Sequence, residues 1–291
     1  GRKIVIGKDG LPQQVQTFFT PEMTSYSLQP KNILSNPIRF IAIRNSNDTM
    51  KLLSAGIQFI KKEPGTVSWK STSSNRQVQL EVVGSIEFDG FVTYSMKLTA
   101  KENVSLNDIQ LQMPFDKKAA TYMMGLGEKG GYRQPLFEWK WNVAQKNQDG
   151  CWIGDVNAGM QYSLRDENYV RPLNTNFYLQ KPLLLPSSWG NDGNGGISII
   201  ESGNQVMAKN YSGARTMQKG DVLYYNFTLL ITPFHTINTD FQWKTRFYHK
   251  YQSIDSIKPT GATVVNIHHA NAINPWINYP FIEHEAMKKY I

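Results

Sequence analysis

The stretch NIHHANAINPWINYPF, starting at Asn266, sets two adjacent histidines among asparagines, a tryptophan and prolines. Histidine can move a proton near neutral pH, and asparagine can both donate to and accept from a hydroxyl-rich ligand. His268 and His269 alternate in direction on an extended backbone, so they make poor co-ligands for a single metal ion. A histidine at the C-terminal end of a parallel strand would instead face the mouth of a β/α unit, where such folds place substrate. His268, His269 and Asn271 are therefore candidate substrate contacts. A satisfied buried histidine followed by a proline-rich loop is the competing reading.

A second group lies between residues 139 and 189. Trp139, Trp141, Trp152 and Trp189 fall there, with Tyr162, Arg165, Tyr169, Arg171 and Asn191 close by. Aromatic faces can stack on the apolar face of a pyranose while arginine and asparagine donate to its hydroxyls. Trp139, Trp141, Arg165, Arg171 and Trp189 are the sugar contacts this pattern nominates. The same rings could equally fill a wide core, and the alternation of Trp139 and Trp141 means that both are buried or both displayed.

Other motifs carry less. GLGEKGG contains G-x-G-x-x-G at Gly125, Gly127 and Gly130, but YRQPLFEWKW follows where a dinucleotide site needs the start of a helix. A tight turn is the better reading. The single cysteine, Cys151, excludes an internal disulfide and sits among apolar neighbours as a small hydrophobe. Glu283 and Glu285 stand at a helix start, where carboxylates are ordinary dipole partners. No catalytic carboxylate pair, metal site or cofactor site is assigned.

The elements that must hold these groups show two regimes. In the first 235 residues apolar positions recur with period two, as in Val78, Leu80 and Val82, in Val92, Tyr94, Met96 and Leu98, in Ile109, Leu111 and Met113, and in Tyr225, Phe227, Leu229 and Ile231. Turn clusters such as EFDG and WGNDGNGG separate them. Many strands without interleaved helices predict a mainly β fold, a large two-sheet antiparallel β-sandwich. After Pro233 the period changes. Phe241, Phe247, Tyr248 and Tyr251 fit one helical face with Thr239 or Asp240 as cap, ATVVNIHHA reads as a buried parallel strand, and Ile282, Ala286, Met287, Tyr290 and Ile291 share a helical face. The expected organisation is a sandwich over 1–235, a helical linker over 236–261 and an incomplete β/α unit over 262–291.

Of the 291 residues 40% are hydrophobic, which supplies a large core. The net charge of +8 is dispersed in pairs such as Lys61-Lys62 rather than gathered in a basic patch, so no nucleic-acid partner is expected. No apolar run is long enough to span a membrane.

Six ordered blocks carry a family resemblance: SIEFDGFVTYSMKL, MMGLGEKGGYRQPLFEWKW, CWIGDVNAGMQYSLRDENYVRPL, LLLPSSWGNDGNGGISI, LLITPFH and VVNIHHANAINPWINYPF. Together they resemble the N-terminal part of glycoside hydrolase family 123 proteins. The resemblance implies a galactose-mutarotase-like supersandwich ahead of a (β/α)8 barrel that removes N-acetylhexosamine units. It also implies substrate-assisted chemistry, in which the acetamido oxygen of the sugar attacks the anomeric carbon and an adjacent Asp-Glu pair orients the acetamide and protonates the leaving oxygen. That pair belongs deeper in the barrel than this sequence reaches, so the chain is expected to be an inactive fragment. Its expected partners are an N-acetylated oligosaccharide and its own C-terminal barrel, and its expected location is secreted, periplasmic or cell-surface.

Overall fold

In the computed structural model the described residues are 1–45, 48–141, 149–169, 185–248 and 254–265, with Glu285 and Lys288. His268, His269, Asn271 and Arg171 lie outside them. The chain divides into two compact units, Gly1–Thr236 and Ile237–Ile291.

Two large antiparallel sheets form the body of the first unit. The six-stranded sheet runs, in spatial order, through Leu136–Lys140, Gly196–Ser202, Gln205–Tyr211, Asp108–Asp116, Arg39–Asn45 and Asp48–Thr49. The ten-stranded sheet begins at Glu128–Tyr132 and passes through Tyr122–Gly125, Gly150–Asp155, Ala158–Arg165, Asn226–Thr232, Phe91–Ala100, Val78–Glu87 and Thr66–Ser74 to Leu53–Glu63, with Val222–Tyr224 paired beside Phe91–Ala100. Period-two sequence dictates this arrangement, because alternate side chains must leave water on one face only. Leu80, Val82, Tyr94, Met96 and Leu98 from one sheet and Ile109, Leu111 and Met113 from the other are all buried in one continuous core. Each such side chain contributes roughly 1.5–3 kcal/mol. The fold is mainly β, two facing antiparallel sheets, as the sequence predicts.

A three-stranded sheet of Arg2–Ile6, Pro12–Phe19 and Tyr26–Asn32 closes the N-terminal side. Buried polar bonds anchor it to the turn after Asp155: the Thr17 hydroxyl donates to the Asn157 carbonyl at 2.7 Å, and the Asn157 amide donates to the Phe19 carbonyl at 2.8 Å. The outer strand Leu53–Glu63 carries two register shifts and the Lys61-Lys62 pair, features that blunt an open sheet edge.

The second unit starts with the helix Thr239–Lys244, capped by Asn238, whose side chain accepts from the Phe241 amide at 2.8 Å. The helical face expected to run on to Tyr251 stops earlier. Thr245 turns the chain out, and the Arg246 amide donates to the Thr263 hydroxyl at 2.8 Å. Phe247–Tyr248 then pairs in parallel with Val264–Val265. A non-local strand pairing thus overrides the local helical period, and Phe241 and Phe247 are left exposed.

Candidate functional site

Trp139 and Trp141 both point inward from the six-stranded sheet, 6% and 0% exposed, with their rings edge to face at 4.7 Å. Trp189, in the short helix Ser187–Gly190, is 0% exposed; its indole N–H donates to the Asn226 carbonyl at 3.0 Å and its ring meets Tyr225 edge-on at 4.8 Å. Rings enclosed on both faces offer a pyranose nothing to stack on. Arg165 is equally committed. Its Nη1 bonds Asp149 Oδ2 at 2.6 Å, and the Tyr169 hydroxyl donates to the same oxygen at 2.7 Å. Burial, and next the Asp149 charge, push the Tyr169 phenol well above its ordinary range, so it stays a neutral donor. Trp141 packs against Tyr169 at 6.3 Å, joining three of the nominated residues through one buried knot. Corrected for burial, none of the four described candidates presents a free face or donor set to solvent.

Cys151 is fully buried, and burial pushes its thiol up to about 12. The thiol therefore stays protonated through pH 8–9, where an unfolded cysteine, at about 8.5, begins to ionise. Folded stability contributed by this group is complete below about pH 8.5 and falls as pH rises toward 12. A colourimetric thiol reagent at pH 8 should leave the native chain unmodified and react on unfolding; rapid native labelling would refute the placement.

The sequence overlooked a different aromatic group, on the outer face of the ten-stranded sheet. Backbone register there sets one row across five strands: Tyr132 opposite Tyr122, Tyr122 opposite Gly154, Gly154 opposite Gly159, and Gly159 opposite Thr232. Trp152 lies over the two glycines. A Cβ at Gly154 would fall 2.3 Å from its Cζ2, and one at Gly159 would fall 2.7 Å from the same atom. The indole N–H donates to the Thr232 hydroxyl at 2.9 Å. The ring is therefore laid flat on bare backbone and held by its edge. Its only visible signal in the sequence is that Gly154 and Gly159 flank a turn and face each other across it.

The hairpin beside it owes its shape to GLGEKGG. Leu126 and Gly127 occupy its corner with φ of 52° and 90°, the two-residue turn that matches strand twist. Leu126 is buried, which holds a non-glycine residue in that conformation, and a Cβ at Gly125 would fall 2.0 Å from the Gly150 carbonyl oxygen. The returning strand Glu128–Tyr132 is exposed throughout, and Tyr132 is 79% exposed. The Tyr122 and Tyr132 rings stand 5.0 Å apart, and the neighbouring Tyr132 phenol raises that of Tyr122. A cavity of about 370 Å³ opens beside the row, lined by Tyr122, Met124, Lys129, Trp152, Asp155 and Val156. Burial tends to raise the Asp155 carboxyl, but its bond from Lys31 Nζ at 2.8 Å, helped by the Val156 amide, holds it below the usual range. Another groove, about 740 Å³, crosses the outer face of the six-stranded sheet at Arg39, Gln112 and Gln205 and has no aromatic lining.

Residues 1–233 match the family model described as glycoside hydrolase 123, third domain, and residues 238–291 match the glycoside hydrolase 123 TIM-barrel domain. The chain belongs to glycoside hydrolase family 123. This family 123 chain is also similar to solved structures. A galactose mutarotase related enzyme from Lactobacillus acidophilus is 6% identical, with TM-score 0.42, over 80% of this chain and 95% of that one. A putative aldose 1-epimerase from Escherichia coli K12 is 8% identical, with TM-score 0.40, over 80% and 99%. A polysaccharide lyase is 12% identical, with TM-score 0.41, over 84% of this chain and 33% of that one. At such scores these likenesses carry nothing about what the family 123 chain does. No curated protein matches it. Among the described residues, no group of His, Cys, Asp and Glu is placed to hold a metal ion, and no helix is long and apolar enough to cross a membrane.

Proposed function

We propose that the chain is the non-catalytic β-sandwich region of a glycosidase acting on N-acetylated glycans, supporting the barrel that begins in its last residues and shaping the approach to it. The succession of the two family matches, third domain then TIM-barrel domain, carries this reading. The barrel match covers 238–291, against roughly 250 residues in a complete (β/α)8 barrel. On this reading the orienting and protonating carboxylates belong to barrel residues outside this sequence. His268, His269 and Asn271 would contribute one rim of the site at the end of the first strand. The boundaries 1–235, 236–261 and 262–291 belong to the same proposal. Such a protein meets its glycans outside the cytoplasm, secreted, periplasmic or at the cell surface. The rival reading, a binding module displaying Trp139 and Trp141, loses its stacking faces to burial.

The test is hydrolysis of an aryl N-acetylhexosaminide by two polypeptides, this chain and one extended through a complete barrel. Release by the extended form alone is the expected result. Product release by the purified chain itself, in proportion to its concentration, would overturn the non-catalytic assignment.

A further inference from the structure

We propose that Tyr132, Tyr122 and Trp152 form a binding platform for a neutral oligosaccharide on the outer face of the ten-stranded sheet. The inference rests on the glycan reading above and adds a site distinct from the barrel.

The row from Tyr132 to Thr232 crosses five adjacent strands. At about 4.8 Å per strand it is about 19 Å long, which suits an extended oligosaccharide better than one sugar. Trp152 has one face sealed against Gly154 and Gly159 and its edge fixed by Thr232, so what it can offer a ligand is its opposite face. A ring already locked in place loses little rotamer freedom when something stacks on it. Tyr132 at 79%, Met124 at 50% and Val156 at 60% exposure extend the apolar surface, although the fold gains nothing from leaving them in water. The outer face contributes nothing to the core, whose side chains on these strands, Cys151, Ile153, Met160 and Tyr162, point the other way.

The polar surroundings select the ligand. Asp155 carries the Lys31 ammonium at 2.8 Å at one side of the cavity, Gln161 stands opposite Trp152, and Glu128 and Lys129 lie on the exposed hairpin strand that ends in Tyr132. These groups can donate to and accept from hydroxyls. Positive charge does not collect along the row: Lys31 is held by Asp155 and Arg133 by Glu201, which leaves Lys129 as a single exposed cation beside the cavity rather than one of a run. A polyanion, whether acidic glycan or single-stranded nucleic acid, needs a run of free positive charge that this surface does not supply. Flat rings bordered by hydrogen-bonding groups of both charges, with no excess of either sign, fit an uncharged sugar chain.

Calorimetric titration of the chain with triacetylchitotriose, and with cellotriose as its non-acetylated counterpart, tests the site. Saturable binding of at least one sugar is expected, weakened about three- to ten-fold by Tyr132→Ala and by Trp152→Ala. Because Tyr132 is so exposed, its variant should melt with the parent. Trp243→Ala, removing a ring 84% exposed in the second unit, should leave affinity unchanged. Gly154→Ala should act like Trp152→Ala by displacing the indole. Absence of binding at millimolar sugar, or affinity indifferent to both aromatic variants, overturns the platform. So does a concentration-dependent dimer that Tyr132→Ala dissolves while no sugar binds. If the barrel-extended polypeptide hydrolyses its substrate while this row binds nothing, only the platform falls. If the row binds sugar and the extended polypeptide hydrolyses no N-acetylhexosaminide, the hydrolase reading falls and the platform stands.

Discussion

Trp189→Ala should destabilise the first unit by about 3–5 kcal/mol and leave oligosaccharide affinity of the folded fraction unaltered. The ring is enclosed, its N–H is the partner of the Asn226 carbonyl, and Tyr225 packs against it edge-on. Truncation opens a cavity the size of an indole and also unpairs a buried carbonyl, which costs about 1 kcal/mol or more. The surroundings have little freedom to collapse. Arg215 Nη2 donates to the carbonyls of Ser187 and Ser188, both at 2.6 Å, and the Ser188 hydroxyl accepts from the Tyr224 amide at 3.1 Å, so the short helix is tied where it stands. For a unit of this size, each kcal/mol is worth about 2–4 °C, so the melting temperature should fall by about 6–20 °C. Trp189→Phe, which keeps most of the ring volume and loses the donor, should fall by much less. Thermal denaturation followed by circular dichroism reads both. A variant that melts like the parent while losing sugar affinity would return Trp189 to the binding surface and refute its role as core.

The contrast between Trp189 and Trp152 shows where sequence reasoning reaches its end. Alternation told inside from outside for Val78, Leu80 and Val82 because the side chains are purely apolar, and only one face of a strand can bury them. Tryptophan does not carry that information, since its ring serves a core and a sugar surface equally well. For Trp139 and Trp141 the spacing fixed that they share a face, and only the packing of the sheets decided that the face is internal. Trp152 was passed over because its role comes from Gly154 and Gly159, which make room for it only once the two strands pair. The pairing of Arg165 was illegible for a related reason. Its partner Asp149 is sixteen residues away, and nothing local marks the two as a pair. The hairpin, by contrast, was legible as a tight turn because GLGEKGG concentrates residues that tolerate positive φ. Beyond Pro233 the helical period was real for one and a half turns; the stretch that followed was decided by Thr263 and by pairing with Val264–Val265, which no local pattern announces.

Asp149→Ala should be about as damaging as the loss of Trp189, through charge rather than volume. The side chains of Arg165 and Asp149 are 12% and 8% exposed, and a single carboxylate oxygen accepts from both the guanidinium and the Tyr169 hydroxyl. Removing one partner of a buried pair strands the other without its solvent or its counter-charge, which costs about 3–5 kcal/mol. Asp149→Asn keeps an acceptor for Tyr169 and should lose less. The informative comparison is the double variant Asp149→Ala with Arg165→Leu. An apolar pair pays no desolvation penalty, so the double variant should be more stable than Asp149→Ala alone, and urea denaturation of the four proteins gives the coupling directly. Additive losses would mean that the two groups do not hold each other. A free Arg165 could then serve a ligand, as its sequence neighbourhood first suggested. Strong coupling instead makes the pair, with Tyr169 against Trp141, a clamp that ties the end of the strand Ala158–Arg165 to the start of its neighbour Gly150–Asp155.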